Sequence, residues 1–152
     1  MRGVIAAMML PLLLSCGGSG GEVAELPEPF QYATAMRDCA PWDGAAVSIL
    51  LTAEPLDSTM IPRPPYLRLA IWKDLGSLQD AVFVWPSEEQ VGAGSYCTGE
   101  NDCEAALSGM VQFHKLGSDS SLVGEFEVSF PNEEPFAGGF LADWLSHTVL
   151  CG

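Results

Sequence analysis

The sequence predicts an all-β domain, a small antiparallel β-sandwich or partly open β-barrel of about six to eight strands, stapled by two disulfides. Two observations carry the sheet: short runs with period-two alternation recur along the chain, and clusters of Gly, Pro, Asn, Asp and Ser separate them. No long amphipathic helical pattern competes with this reading. The cysteine count supports it once the N-terminal segment is set apart.

The elements follow in order. Phe30 to Asp38 fits either a helical turn or an opening strand, and Ala45 to Ala53 is a short, mostly apolar run. Tyr66 to Trp72 alternates Leu67, Leu69 and Ile71 with Tyr66, Arg68, Ala70 and Trp72. A turn at Lys73 to Ser77 leads to the run Asp80 to Trp85, and Met110 to Lys115 sets Val111 and Phe113 against Gln112 and His114. Glu125 to Phe130 is the clearest strand, with Phe126, Val128 and Phe130 on one face and Glu125, Glu127 and Ser129 on the other. Phe140, Ala142 and Trp144 then alternate with Leu141 and Asp143. Two connections are too long for tight hairpins. Glu54 to Pro65 contains Pro55, Pro62, Pro64 and Pro65, which suits an ordered irregular loop. Pro86 to Gly109 opens with Ser87-x-x-Gln90, a helix-capping pattern that allows a short helix at Ser87 to Val91.

Met1 to Gly21 differs in kind. Arg2 is followed by the apolar run Val4 to Leu14, too short for the roughly 20 residues that span a bilayer. It ends in Leu13-Leu14-Ser15-Cys16-Gly17. This ending resembles the lipobox of bacterial lipoproteins. The resemblance implies a signal peptide at 1–15, a diacylglyceryl group on the Cys16 thiol, cleavage before Cys16, and acylation of the new amine by a chain such as palmitate. It implies a membrane partner held through that lipid, and a bacterial cell-envelope location. Gly17, rather than aspartate, follows the cysteine, which in Gram-negative lipoproteins accompanies transfer to the outer membrane. Residues 16–29 then read as a lipid-anchored flexible linker, Gly-rich and then acidic with Pro27 and Pro29, reaching on the order of 20 Å. The β domain is expected at residues 30–152.

With Cys16 given to lipid, Cys39, Cys97, Cys103 and Cys151 form an even set, most simply two disulfides in an exported domain. Three connectivities exist. Cys97–Cys103 with Cys39–Cys151 is favoured, because Thr98 to Asp102 is turn-rich and the second bridge would tie the start of the domain to its end. Zinc is the competing use, but the Cys-x₅-Cys spacing and the distant His114 do not fit an ordinary zinc site, so no metal ligand is assigned.

Six Lys and Arg against 20 Asp and Glu give a net charge of −14, which repels nucleic-acid phosphates and favours divalent cations or a basic protein. The acids are scattered rather than blocked, so an acidic tail is not expected. Candidate chemistry is sparse. Asp143 and His147 would share a face on a helix, but adjacent Ser146 is badly placed as a nucleophile and no Gly-x-Ser-x-Gly elbow occurs. Glu100, Asp102 and Glu104 could offer oxygens to calcium, yet lack the register of a dedicated calcium loop. His114 reads as an exposed strand histidine. No catalytic residue and no cofactor are assigned. Among the tryptophans at 42, 72, 85 and 144, Trp72 with Tyr66 could form an outward platform for stacking on a sugar or a peptide side chain. Core packing accounts more simply for three of the four.

The closing residues carry a second resemblance. Val123-Gly124-Glu125-Phe126-Glu127-Val128, then Gly139-Phe140-x-Ala142-x-Trp144 and Cys151-Gly152, are similar to the tails of functionally uncharacterised envelope lipoproteins. That implies shared β architecture and a terminal disulfide, and no reaction. The expectation is therefore a lipid-anchored envelope protein with a non-catalytic binding or structural role, toward a protein or glycan. The alternatives are an inhibitor of a basic envelope-targeting enzyme such as a lysozyme, and a small hydrolase.

Overall fold

Alternating runs need partners on both sides, and in the computed structural model they find them in a single nine-stranded sheet. Residues 25–56, 61–114, 121–145 and 149–151 are described, so the expected signal peptide, Cys16, Ser146 and His147 lie outside them. The strands are β1 (Tyr32–Cys39), β2 (Ala45–Thr52), β3 (Tyr66–Ile71), β4 (Val82–Trp85), β5 (Gly92–Gly99), β6 (Asp102–Ala105), β7 (Ser108–Phe113), β8 (Ser121–Ser129) and β9 (Phe136–Leu145). Their order is β4-β7-β8-β9-β1-β2-β3-β5-β6. The protein is all-β, with one strand more than the expected range. One seam departs from the expected antiparallel pattern: β9 runs parallel to β1, joining Thr34–Met36 to Asp143–Leu145.

Several expectations change in detail. Phe30 to Asp38 resolves into a strand, β1, because Ala33 and Ala35 turn inward beneath β2. The 86–109 connection contains two strands. Ser87 to Gln90 is a turn closed by Gln90 N donating to Ser87 O at 3.1 Å, with Gln90 at φ 47°, and no helix forms at Ser87 to Val91. Residues 25–29, expected as the end of the linker, lie against the domain: Leu26 packs on the core and Pro27 passes over Gly138.

The sheet curls until its ends meet. Ala106 N donates to Gly94 O at 2.9 Å and Leu107 N to Ser129 O at 2.9 Å, so the chain leaves β5 and joins β8 within two residues. β6 and β7 are thus halves of one extended run, and β4 and β5 lie end to end along it, with Trp85 opposite Gly109 and Cys97 opposite Cys103. This partly open barrel encloses a core of Val47, Ile49, Leu51, Leu67, Leu69, Ile71, Val111, Phe113, Phe126, Val128 and Phe140. β2 is buried on both faces, which explains its nearly continuous apolar sequence.

Trp85 sits at the closure. A Cβ on Gly109 would lie 2.1 Å from its ring, and one on Gly92 would lie 3.3 Å from it. Only a residue without a side chain lets the two strands approach the indole this closely. The two disulfides are Cys39–Cys151, closing 112 residues, and Cys97–Cys103, closing 6. Chain-entropy reasoning gives about 5 kcal/mol for the long loop and about 2 kcal/mol for the short one. The long bridge holds the C-terminal segment to the end of β1.

Gly109→Ala is expected to destabilise the fold by about 1–3 kcal/mol through overpacking against Trp85. A thermal melt should show a midpoint lower by on the order of 5 °C. Combining it with Trp85→Phe should give a smaller loss than the two single changes added together, because the smaller ring makes room for the methyl group.

Candidate functional site

The outward side chains of β1, β2 and β3 form the most organised polar surface of the described residues. Alternation sends Leu67, Leu69 and Ile71 into the core and leaves Tyr66, Arg68, Ala70 and Trp72 on the other face. In the centre, Ser48 is 1% exposed, and a buried hydroxyl requires partners. It donates to the Asp38 carboxylate and accepts from Arg68 Nε at 3.1 Å. The Arg68 guanidinium also bonds Asp38, whose other oxygen accepts from Cys39 N at 2.8 Å. Three neighbouring strands are thereby tied beside the Cys39–Cys151 bridge. Among the described residues no imidazole adjoins Ser48, and the hydroxyl is buried, so the cluster acts as a structural tie.

The aromatic end of this face is built by the β1–β2 hairpin. Asp43 N donates to Ala40 O at 3.0 Å and Ala40 N to Gly44 O at 2.8 Å. Asp43 takes the left-handed region at φ 62°, which aspartate tolerates in turns. A Cβ on Gly44 would come within 2.8 Å of Trp42 Nε1, so the glycine allows Trp42 to fold back over the turn. Trp42 meets Trp72 edge to face, with ring centroids 5.3 Å apart and planes at 77°. The backbone at Trp72 is held by its main-chain N–H donating to Val91 O at 2.8 Å. Trp42 remains 53% exposed, so the pair presents an aromatic corner to solvent.

Tyr66 and Trp72 share the outward face, but they stand at opposite ends of β3, about 20 Å apart along the strand. They do not form one platform. Tyr66 instead covers the small disulfide, its hydroxyl 4.0 Å from Cys103 Sγ. The partner of Trp72 is Trp42, a residue whose role depends on a turn conformation rather than on strand periodicity. Of the other tryptophans, Trp85 is buried and Trp144 packs against the core.

The remaining sequence candidates are dispersed. His114 Nε2 lies 3.7 Å from Glu125 Oε1, with both side chains about half exposed. Asp102 accepts from Thr98 Oγ1 at 2.8 Å, Glu104 accepts from Asn132, and Glu100 is exposed at the turn. No group of three His, Cys, Asp or Glu able to hold a metal occurs among the described residues. Asp143 belongs to strand β9, opposite Ser121 and beside Thr34, so the helical geometry that would join it to His147 is absent at that position. An open groove of about 380 Å³ runs between the 74–76 turn and the C-terminal segment, lined by Asp38, Ala46, Asp74, Leu75 and Val149.

Burial alone would raise the Asp38 carboxyl, but the Ser48 hydroxyl, the Cys39 N–H and the Arg68 guanidinium outweigh it and hold the group below the ordinary carboxylate range. A depressed folded-state value contributes stability that is complete above the unfolded value, near pH 4, and is lost as pH falls through the folded one. Asp38→Asn should therefore flatten the acid limb. Melting midpoints measured between about pH 5 and pH 2 should fall less steeply in the variant than in the parent.

Compared with known proteins, the chain matches no family model, no curated protein and no solved structure.

Proposed function

We propose that this protein is a non-catalytic binding module held at a bacterial cell envelope through lipid on Cys16, and that it takes a basic protein partner. The observation that carries the binding role is the exposed Trp42–Trp72 corner on a cross-linked β scaffold. Tryptophan contributes more per residue to protein interfaces than almost any other side chain, and its faces attract lysine and arginine. A chain with a net charge of −14 steers cationic partners toward that corner, whereas a neutral glycan would gain nothing from the field. The scaffold keeps both rings ordered before binding, which lowers the entropy lost on association. The envelope assignment rests on the lipobox-like ending at Cys16 and on Gly17, which favours the outer membrane.

The anchor and the binding surface are separately testable. Cys16→Ser should move the protein from the membrane fraction to the soluble fraction with an unchanged thermal transition, read by fractionation and circular dichroism. Loss of that transition would give Cys16 a structural role instead. For the surface, detergent-solubilised full-length protein should retain basic envelope proteins in a salt-sensitive manner. Trp42→Ala and Trp72→Ala should each weaken retention about ten-fold or more, as expected for interface anchors. Retention that is unaffected by either change would overturn the assignment of this corner.

A further inference from the structure

A second surface, separate from the tryptophan corner, lies along the free edge of β4. In the antiparallel ladder between β4 and β7, Phe113 N donates to Ala81 O at 2.9 Å, and Phe83 faces Val111. That alternation turns the backbone groups of Ala81, Phe83 and Trp85 toward β7. The N–H and C=O groups of Val82 and Val84 therefore point to the open side, where β4 ends the sheet order. No backbone bond among the described residues reaches them.

Edge strands are ordinarily blunted by charge, proline or a bulge. The opposite edge follows this rule: β6 carries Asp102 and Glu104, a cross-strand disulfide, and a register shift between Cys97 and Gly99. Within β4 there is no charge, proline or bulge, and the strand is protected by its four-residue length and by Pro86 directly after it. Its outward side chains are Val82 and Val84, 51% and 52% exposed, while Phe83 and Trp85 are anchored in the core. The strand is thus held rigidly from one side and left open on the other. Its shortness limits a docked segment to about four paired residues.

Charge decides the occupant. On the same outward face Val84 adjoins Met110 and then Glu127, and Val82 adjoins Gln112 and then Glu125. Asp80 precedes the strand, and Glu88 and Glu89 follow it, all exposed. A second copy of the chain would bring two surfaces of like charge together. We propose that the β4 edge receives an extended basic peptide segment as an added strand. Its backbone pairs with Val82 and Val84, its apolar side chains lie beside Val82 and Val84 on the outward face, and lysine or arginine side chains at its ends reach toward Asp80, Glu88 and Glu89, which flank the strand.

The test uses the full-length protein and an acetylated hexapeptide with lysine at both ends and valine at alternate inner positions, with amide hydrogen exchange and fluorescence anisotropy as readouts. The expected result is saturable, salt-weakened binding that slows exchange at Val82 and Val84. A peptide with glutamate in place of lysine should bind at least about ten-fold more weakly. The lysine peptide N-methylated at its edge-facing amides should lose binding to a similar degree, a control that leaves the protein untouched. Val84→Pro, which removes an N–H on the open side only, should abolish binding while the thermal transition persists. Trp42→Ala should leave peptide binding unchanged, so failure of the tryptophan corner and failure of this edge are separable. Absence of peptide binding would overturn the proposal, as would binding without protection of Val82 and Val84. Protection of these amides in a peptide-free dimer, seen by sedimentation, would assign the edge to a second copy and overturn it too.

Discussion

The closure of the sheet depends on one buried indole. Trp85 lies where β4 passes into the turn before β5, and its ring rests against the backbone at Gly92, Gly94 and Gly109. A curled sheet of this kind has to bring two interrupted strands side by side, and any side chain at Gly109 would hold them apart. Filling that space with a large flat ring instead seals the end of the core, next to Val128 and the inward residues of β7. The indole N–H is buried and has no partner among the described residues, so packing rather than hydrogen bonding sets its placement. Anchoring Trp85 and Phe83 inward also fixes β4 as a rigid edge with its valines turned outward.

A second constraint operates on the other side of the barrel. β2 is covered on both faces, and this leaves Ser48 in a dry position on a strand flanked by β1 and β3. Asp38 and Arg68 answer that burial with a closed set of hydrogen bonds. Arg68 stays about two-fifths exposed and Asp38 about one-quarter, so the pair is partly screened by water and serves mainly to satisfy the buried hydroxyl. The Cys39–Cys151 bridge adjoins this cluster, so the C-terminal segment is secured where the three strands are already tied. A scaffold held in this way can present Trp42 from a short turn without that turn being loose.

Legibility from sequence varied with the physical origin of each element. β8 and β3 were plain because one face is wet and the other dry, and the alternation of Phe126, Val128 and Phe130 with Glu125 and Glu127 records that directly. β5 and β6 were hidden within an expected loop. Gly92, Gly94 and Gly99 carry no alternation, because the first two yield their side-chain space to Trp85, Ile71 and Val128. β1 was ambiguous because its inward positions are alanines, which leave little hydrophobic period to detect. The expected pairing of Tyr66 with Trp72 had the right face and the wrong neighbour. Strand periodicity assigns a face, but the length of β3 separates the two rings, and the turn at Asp43 supplies Trp42 in place of Tyr66.

The sequence by itself determined the all-β class, the positions of the most amphipathic strands and the two disulfides. These follow from local periodicity, turn residues and the count of cysteines once Cys16 is set apart. It also determined the acidic character that narrows the kind of partner. Tertiary structure alone decided the parallel β9–β1 seam, the meeting of the sheet ends at Trp85, the Asp38–Ser48–Arg68 tie and the open edge of β4. Each of these depends on which strands become neighbours. A strand records in its own residues which face is buried, whereas its edge partners are selected by the shape of the whole core.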